Sequence, residues 1–553
     1  MIPLRRFSRL ALLAFALPLA LGQEAVGGES PAPAQAAYVL RQVILTENAE
    51  TLKDLNYDPE RGFVRVPASL TDADRAELFR RLEAGENRVV DDKLLAAVAA
   101  VVEAYLRNRG FPMATATVPP QNIAAGALRI LISFGRVRSV KIEGNRWFSD
   151  SLLQAKLRIE RGGLLQVSEL ERSLAWTNSN PFRRMNLHVE PVPGTGEADL
   201  FFRVQERFPL RFSAGYENTG NAILGWDRYS AGLTYGNLWG ADHLLSYQEM
   251  TSRSPRLLRA QSVEYRAPLP WRHLFSISGS LVRLNPTFFG GLFTQEGRNL
   301  SVDARYAVPF RRGGWEGEIT GALSAKSMNN NLEFGGVPAV TSEIELFSAS
   351  TGVAAIRGDR WGRWVFSGTF SASPGKLSRR NQEELFSDSR PGAQPRYFIG
   401  QFWVQRQTVL AKTLIHTARL SGQISSARLV PGEQFSIGGA NTIRGYEERI
   451  LNGDAGAWFS QEVQKPLPAI PLGKHWPRLE STVIAFWDYG RSFIRQPRAN
   501  EVPDAFLSSV GLGARFSLGN YLSASAELGK QIERVEIPGA PSHRLHVKVS
   551  FSF

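Results

Sequence analysis

The sequence predicts a membrane β-barrel of about 16 antiparallel strands, preceded by two small α+β domains. Three observations predict this fold: an apolar leader, a mixture of short helical and extended segments up to residue 207, and a long series of alternating segments from residue 208. Alternation with a period of two places successive side chains on opposite faces of a sheet. One face can then contact lipid while the other lines a wet lumen.

The first 22 residues have the pattern of a secretory signal peptide, and we assign residues 1–22 to it. Three arginines precede an apolar run that ends near Leu21. Such a run is typical of an export signal and too short to span a membrane as a helix. Residues 23–37 are rich in Gly, Pro and Ala, so we expect a flexible N-terminal segment there.

Composition and motifs argue against several functional classes. The formal charge is +13, but the basic residues are scattered through strands and turns instead of being gathered on one helix, which disfavours a nucleic-acid partner. No Gly-Lys pair is followed by Ser or Thr, and neither GxSxG nor HExxH occurs. The seven histidines are scattered. We therefore expect no enzymatic activity, no cofactor and no metal site.

The first small domain is expected at residues 38–135. The segment at 91–111 has the apolar spacing of a helix, with an acidic residue at its start and a glycine near its end. Strands are expected on either side of it, at 38–46 and 127–134. The irregular stretch at 48–67 receives no assignment.

The second small domain is expected at residues 136–207 and repeats the same order of elements. It opens with a strand at 136–144, followed by a helix that begins at Ser149. A capping box from Ser168 to Glu171 predicts a second helix, because a Ser at the cap and a Glu three residues later satisfy each other's backbone donors. Two further strands complete the unit.

Residues 208–553 are expected to form the barrel. Segments of about 10 residues alternate and are separated by turn clusters, as in outer-membrane barrels. An even strand number returns both ends to the periplasmic side, with short turns there and long loops outside. The predicted strands begin near residues 208, 228, 243, 258, 272, 297, 315, 344, 362, 396, 411, 456, 478, 506, 521 and 543.

The last segment, "RLHVKVSFSF", is expected to close the barrel. Its alternation places Phe551 and Phe553 on the lipid face. Pairing of this strand with the first one would leave no unpaired sheet edge. A soluble β-sandwich would also alternate, but it would not account for the leader, the two preceding domains and the aromatic last strand together.

Four motifs in a fixed order resemble one known family. They are "PPQNIAAGALRILISFG" (119–135), "IRGY" (443–446), "NGDAG" (452–456) and "AFWDYG" (485–490). With the leader and the paired small domains, they resemble the two-partner secretion transporters, the haemolysin and filamentous-haemagglutinin exporters. The small domains of that family are called POTRA domains. The resemblance covers nearly the whole chain after the leader.

The resemblance implies that a long external loop, here residues 425–455, folds back into the barrel lumen. Its RGY-type arginine would pair with an acid on the barrel wall, which carries over to Arg444 and Asp488. Period two agrees, because it places Asp488 and Phe486 on the lumen face of their strand. Glu462 lies on the lumen face of a neighbouring segment and is a second candidate anchor.

Residue types support this role. A planar guanidinium can hold a carboxylate with two hydrogen bonds, and a glycine lets the backbone turn where a side chain would clash. The predicted loop-to-wall contact comprises Arg444, Gly445, Tyr446, Asp488, Glu462 and Phe486.

The resemblance further implies an outer-membrane pore that binds an unfolded, β-rich exoprotein through periplasmic POTRA domains. The pore would move that exoprotein to the cell surface without nucleotide hydrolysis. An extended segment can add a strand to an exposed sheet edge, and the stretch at 180–192 in the second domain is our candidate edge. Its candidate contact residues are Arg183, Arg184, Leu187 and Val189.

Other expected partners are outer-membrane lipid and, during biogenesis, the barrel assembly machinery, with the chain acting as a monomer. The nearest alternative function is an outer-membrane protein assembly or insertion factor of the same barrel superfamily. A porin or adhesin would need neither two periplasmic domains nor an inward ion pair. A barrel-anchored hydrolase would need a catalytic set that the motifs do not supply.

Overall fold

The computed structural model describes residues 38–288, 293–334, 337–340, 342–411, 413–473, 476–534 and 541–553. It contains two compact units, one that ends at Phe134 and one that begins at Gly135. The predicted signal peptide and flexible segment, residues 1–37, lie outside the described residues, and the domain boundaries assigned from the sequence remain predictions. Within the described ranges, no helix is both long and apolar enough to cross a bilayer.

The first unit is a small α+β domain built on a four-stranded sheet. The sheet order is β2-β1-β4-β3, with β1 parallel to both of its neighbours and β3 antiparallel to β4. Its elements are β1 Gln42–Thr46, β2 Val64–Arg65, α1 Asp72–Leu82, α2 Asp92–Asn108, β3 Thr115–Thr117 and β4 Ala127–Ser133. The sheet and both helices enclose one apolar core.

Helix α2 is the helix that the sequence predicts, and α1 is one that the sequence analysis missed. In α2 the Asp91 carboxylate caps the helix by accepting from the Leu94 N–H at 2.6 Å. In α1 the apolar periodicity is weak. Two of its three buried residues, Leu78 and Leu82, are apolar, but the third, Asp74, is charged. The Asp74 carboxylate is buried as an acceptor for the Tyr105 hydroxyl of α2.

The second unit opens with the second α+β domain. Its elements are β5 Arg136–Glu143, α3 Asp150–Leu157, α4 Val167–Thr177, β6 Arg183–Val192 and β7 Glu197–Glu206. The sheet order is β5-β7-β6, so β6 is an edge strand whose sheet partner in the described chain is β7.

One helix start predicted in this domain is correct and the other is wrong. Ser149 caps α3, because its hydroxyl accepts from the Leu152 N–H at 3.3 Å. Helix α4 starts at Val167, with Gln166 as the cap residue and no side-chain cap bond. Ser168 is therefore already inside the first turn, where its backbone is helical and it cannot serve as the cap.

The prediction of a closed antiparallel barrel is confirmed. Sixteen strands of the described chain form the wall, the short β13 and β16 extend it, and β27 pairs with β8 to close it. The elements are β8 Leu210–Glu217, β9 Arg228–Leu238, β10 His243–Ser252, β11 Leu258–Pro268, β12 Leu274–Leu284, β13 Thr287–Phe288, β14 Phe293–Arg312, β15 Trp315–Phe334, β16 Val337–Val340, β17 Glu343–Asp359, β18 Gly362–Pro374, α5 Glu383–Ser389, β19 Arg396–Ala411, β20 Leu414–Ser425, β21 Phe435–Ile437, β22 Leu451–Gly453, β23 Ala455–Pro466, β24 Leu479–Phe493, β25 Asp504–Leu518, β26 Leu522–Gln531 and β27 His543–Ser552.

Strand lengths differ from the expected value of about 10 residues. Strands β14 and β15 run for 20 residues each and β17 for 17. A tilted strand needs about 9–11 residues to cross the apolar layer. These three strands therefore continue beyond the apolar layer.

Side-chain exposure follows the period of two. In β24, Val483 and Trp487 are exposed while Ile484, Phe486 and Asp488 are buried. The outward face of β27 is likewise exposed at Leu545 and Phe551, and Phe553 just beyond the strand is also exposed. The buried set faces the lumen, where the loop between β20 and β23 contacts it.

Candidate functional site

The connection from β20 to β23 folds inside the barrel. Its arms β21 and β22 pair as an antiparallel ribbon, and Gly438 to Ile450 form the tip beyond them. Ile443 and Tyr446 of the tip are fully buried, and they pack with Trp458 of the wall strand β23 and Leu507 of β25. The sequence analysis predicted that this loop enters the lumen but missed the short ribbon.

Arg444 at the tip pairs with Asp488 of β24. Its Nε donates to one carboxylate oxygen at 2.7 Å and its Nη2 to the other at 2.8 Å, and its backbone N–H donates at 3.1 Å. The side chain of Arg444 is 4% exposed and that of Asp488 is 0% exposed. The planar guanidinium and the carboxylate thus meet in the bidentate geometry that arginine favours.

Two more wall acids bind the same guanidinium. Arg444 Nη1 donates to Glu462 of β23 and to Glu527 of β26, each at 2.9 Å. Ser460 completes the contact, because its hydroxyl donates to Asp488 at 2.7 Å and lies 3.2 Å from Arg444 Nη2. Glu462 was predicted as an anchor. Glu527 was not predicted.

Two wall arginines balance these acids. Arg515 of β25 binds Glu462 at 2.6 Å and Glu527 at 2.8 Å, and Arg419 of β20 lies 3.6 Å from Glu462. The Arg444 cluster, as we call it, has equal numbers of positive and negative groups: Arg444, Arg515, Arg419, Asp488, Glu462 and Glu527. Because the charges balance, burial of the whole set is less costly than burial of any one member alone.

Phe486 forms the apolar wall of the cluster. The guanidinium carbon of Arg444 lies 3.5 Å from the centroid of the Phe486 ring, which is a cation–π contact. Burial alone would lower the pKa of Arg444, but its hydrogen bonds to Asp488 and the charges of Asp488, Glu527 and Glu462 raise it overall. The guanidinium therefore remains charged in this setting.

Gly445 lies directly on the backbone of the wall. Its φ is +91°, a left-handed conformation that favours glycine, and a Cβ there would be 2.9 Å from the carbonyl of Gly529. Its N–H donates to His546 Nε2 at 3.0 Å, and its carbonyl accepts from Gln531 at 2.9 Å. No pattern in the sequence linked Gly445 to Gly529.

Tyr446 binds the backbone at the external end of the wall. Its hydroxyl lies 2.8 Å from the Ser508 carbonyl and close to the Glu533 carbonyl, and the Ser508 N–H donates to it at 3.2 Å. Burial raises the pKa of Tyr446 to about 12, so the hydroxyl stays protonated and able to donate at neutral pH. The three residues of the RGY motif thus contact five neighbouring wall strands, β23 to β27.

A cavity of about 310 Å³ borders Arg444, Arg419 and Trp458 inside the barrel. A water molecule occupies about 30 Å³ of the liquid, so this space is large enough for several. The Arg444 cluster is consequently buried within protein on one side and next to a polar cavity on the other.

The predicted POTRA edge is only partly available. Arg184 is exposed on β6, and Leu187 and Val189 are half-buried on the same strand. Arg183 is a correction to the prediction: its side chain is 0% exposed because it binds Asp242 of the barrel. A substrate on the β6 edge cannot contact that guanidinium.

Asp242, in the turn between β9 and β10, is surrounded by groups of the second small domain. Arg183 Nη2 donates to it at 2.9 Å, Asn180 Nδ2 at 2.7 Å, and Lys156 Nζ lies 2.7 Å away. These four residues form the Asp242 cluster. Burial lowers the pKa of Lys156, against the opposing effect of Asp242.

Within the described ranges, no group of three or more His, Asp or Glu residues is placed to hold a metal ion. His543 lies at the start of β27, and His546 accepts from the Gly445 N–H inside the barrel.

Two family models match the chain. The model of the haemolysin secretion/activation protein family ShlB/FhaC/HecB matches residues 196–516, and the model of the ShlB-type POTRA domain matches residues 66–135. The first match covers more than half of the chain.

Curated relatives are distant in sequence. The outer membrane transporter CdiB of Dickeya dadantii (strain 3937) is 23% identical over 374 residues, which are 66% of this chain and 65% of CdiB, slightly less than two thirds of that relative. The heme/hemopexin transporter protein HuxB of Haemophilus influenzae (strain 86-028NP) is 22% identical over 483 residues, which are 83% of this chain and 81% of HuxB.

Solved structures share the fold. CdiB from Escherichia coli superimposes with a TM-score of 0.76 at 17% identity, over 96% of this chain and 93% of that one. BamA from Haemophilus ducreyi lacking POTRA domains 1-3 superimposes with a TM-score of 0.52 at 15% identity, over 88% of this chain and 98% of that one. At these identities the likeness shows a common architecture.

Proposed function

The chain belongs to the haemolysin secretion/activation family ShlB/FhaC/HecB, and from this premise we propose that it is the pore for one unfolded, β-rich exoprotein. The family consists of two-partner secretion transporters of the outer membrane, with POTRA domains in the periplasm. The pore would bind its cargo in the periplasm and pass it to the cell surface. We propose that it does so as a monomer, after insertion by the barrel assembly machinery.

The observation that supports this proposal most strongly is a loop held inside a closed barrel by contacts that can open. The RGY tip is attached by hydrogen bonds, ion pairs and packing. When Arg444 leaves, Glu462 and Glu527 keep Arg515 as a partner. The wall therefore does not retain three uncompensated acids, and the tip can move without leaving the barrel interior strongly unbalanced.

We propose that transport needs neither catalysis nor nucleotide. The chain has no phosphate-binding loop sequence. Folding of the exoprotein outside the cell would supply the free energy and prevent its return. The Arg444 cluster would keep the loop in place until cargo displaces it.

Capture would begin on the edge of the second POTRA domain. An extended cargo segment would pair with β6, whose free edge is presented next to Arg184, Leu187 and Val189. Main-chain hydrogen bonds would provide the affinity, and the side chains would provide selectivity.

The proposed edge can be tested with two neighbouring proline variants, Leu187→Pro and His188→Pro. Successive N–H groups of a strand point to opposite edges, so one proline removes a bond to β7 and the other removes an outward donor. The variant that loses the outward donor should lower cargo exposure at the cell surface by at least about tenfold, which corresponds to roughly 1.4 kcal/mol. Its resistance to protease should stay equal to that of the native protein. Surface labelling of a co-expressed candidate cargo measures this.

Undiminished export by both proline variants would exclude β6 as the capture edge and leave the pore function standing. If loss of the chain instead lowers the amounts of other barrels in the membrane and leaves every candidate cargo unaffected, the chain is an assembly factor and the transport proposal is wrong.

A further inference from the structure

Three arginines lie side by side on the outward face of the barrel. Arg259 of β11 is in register with Arg283 of β12, and Arg283 is in register with Arg298 of β14. All three side chains are exposed. These positions face outward. Every second residue of a strand lies on the same face, and the arginines of β11 and β12 share their faces with the exposed Val263 and Ile277.

The row stands at the external end of the strands. The second POTRA domain contacts the opposite end, where Asn180 binds the Gly236 carbonyl of β9. Arg283 lies nine residues beyond Leu274, the first residue of β12 (283 − 274 = 9). At about 3.4 Å per residue and a tilt of about 40°, this is a height of roughly 23 Å.

That height matches the apolar layer of an outer-membrane barrel, which is about 25 Å tall. At its periplasmic end, the exposed Trp271 donates to the Tyr306 hydroxyl at 2.7 Å, and such interfacial aromatic pairs belong at the membrane boundary. The arginine row therefore lies at the level of the outer-leaflet headgroups.

Among the described residues, only one member of the row has an ion-pair partner. Arg259 binds Glu249 at 2.6 Å, whereas the guanidinium groups of Arg283 and Arg298 form no hydrogen bond or ion pair with any residue that the structure describes. On the opposite side of the barrel, the outward Arg491 is paired with Asp504. Like charges directly opposite each other destabilise a sheet, so the row needs an anion between its members.

The surface below the row suits acyl chains. Going down from the arginines, the next outward row carries Leu281 and Leu300 beside Gln261, whose amide donates to Tyr247, and the following row carries Val263 and Val302 on either side of Gly279. A ligand that combines phosphates with acyl chains would satisfy both parts of this surface. Neighbouring strands are about 4.8 Å apart, so the row is about 10 Å long and separate arginines can contact separate phosphates.

We propose that this arginine row binds lipid A, the phosphorylated anchor of lipopolysaccharide in the outer leaflet, with its acyl chains on the apolar strip below. The bound lipid would neutralise Arg283 and Arg298 and hold β11, β12 and β14 together at their external ends. Free phosphate could bind the arginines but has no acyl chains for the apolar strip. Dephosphorylated lipid A has acyl chains for the strip but no phosphates for the arginines.

The test uses the full-length protein in lipid nanodiscs, with bound lipid counted by native mass spectrometry. The probes are bisphosphorylated lipid A, dephosphorylated lipid A, phosphatidylglycerol and inorganic pyrophosphate. We expect bisphosphorylated lipid A to bind tightest of the four. The double variant Arg283→Gln/Arg298→Gln should weaken it about thirtyfold, the loss expected for two arginines near an anionic membrane surface.

The matched control is Arg312→Gln/Arg360→Gln, which removes one exposed arginine at the periplasmic end of β14 and one in the turn between β17 and β18, and should change the affinity less than about twofold. Should the test variant fold poorly, Glu249→Gln provides an opposite test, because it releases Arg259 and should tighten lipid A binding. Equal binding of dephosphorylated lipid A, of phosphatidylglycerol or of pyrophosphate would overturn the proposal, as would equal effects of the two double variants.

Discussion

The Arg444 cluster and the Asp242 cluster attach two different parts of the chain to the barrel, and their charges are arranged in opposite ways. In the first, one arginine from a loop enters a wall that carries three acids and two further arginines. In the second, one acid from a barrel turn enters a domain that carries two cations.

The two clusters differ in which charged groups are left without a partner when the contact opens. Without Arg444, Glu462 and Glu527 still have Arg515 as a partner and Glu527 borders a cavity, while Asp488 keeps the hydrogen bond from the Ser460 hydroxyl. Without Asp242, Arg183 and Lys156 would face each other in a buried site with no acid. The first arrangement suits a contact that opens and closes, and the second suits a permanent attachment of the POTRA domain.

The largest expected effect is that of Asp242→Asn. This change leaves two buried cations unpaired, and breaking a buried pair typically costs about 3–5 kcal/mol. We expect the second POTRA domain to detach, with rapid cleavage by added protease between Glu206 and Leu210. Limited proteolysis of the purified protein measures this, and the control is Asp227→Asn, which changes a half-buried acid at the external end of β9, away from the POTRA domain. Unchanged cleavage would mean that Asp242 does not hold the domain.

Next in size is Arg444→Gln. Because Glu462 and Glu527 keep Arg515 while Asp488 loses its cation, we expect a loss between the roughly 0–1 kcal/mol of an exposed pair and the 3–5 kcal/mol of a buried one. The loop should leave the lumen more often, which raises the single-channel conductance in a planar bilayer while the POTRA domain stays protected from protease.

The matched control for this change is Arg428→Gln. Arg428 belongs to the same loop and its side chain is also nearly buried, but it pairs with Glu501 of another external loop. A rise in conductance with Arg428→Gln, or none with Arg444→Gln, would contradict the assignment of the contact to Arg444.

Gly445→Ala should have a smaller effect that combines two causes. The left-handed φ costs about 1–2 kcal/mol for a residue with a Cβ, and contact with Gly529 adds to this. Gly196→Ala separates the causes, because Gly196 has a φ of +68° and open space around its added Cβ. Thermal unfolding should show a larger loss for Gly445→Ala. Equal losses would mean that the loop adjusts without strain.

The smallest expected effect is a pH dependence of the Asp242 cluster. Burial lowers the pKa of Lys156 below its ordinary 10.5, so between the lowered value and 10.5 the unfolded chain binds more protons than the folded one. Stability therefore rises with pH across that window. The thermal midpoint should rise more steeply there for the native protein than for Lys156→Met. Parallel curves would exclude a contribution from Lys156.

Local patterns predicted much of the barrel. Most predicted strand starts lie within two residues of the observed ones, because period two is visible in each segment alone. The same period placed Phe486 and Asp488 on the lumen face. Helix α1 was missed because its burial depends on Asp74, whose buried carboxylate is stabilised by Tyr105 from another helix.

No local pattern predicted which residues on separate strands contact each other. Glu527 and Arg515 join the Arg444 cluster through the register between β25 and β26. Arg183 was assigned to a free edge because it lies beside apolar residues in the candidate stretch at 180–192. Its side chain is instead buried by Asp242, which is 59 residues away in the chain.

The sequence by itself determined the barrel, the inward face of each strand and the motif that carries Arg444, because periodicity and turn chemistry act over a few residues. The tertiary structure alone decided which charges meet. Closure of the barrel brings Arg444 among acids from three strands and Asp242 among cations of the POTRA domain. Electrostatic balance depends on distances of a few ångströms between distant segments, and no local pattern encodes those distances.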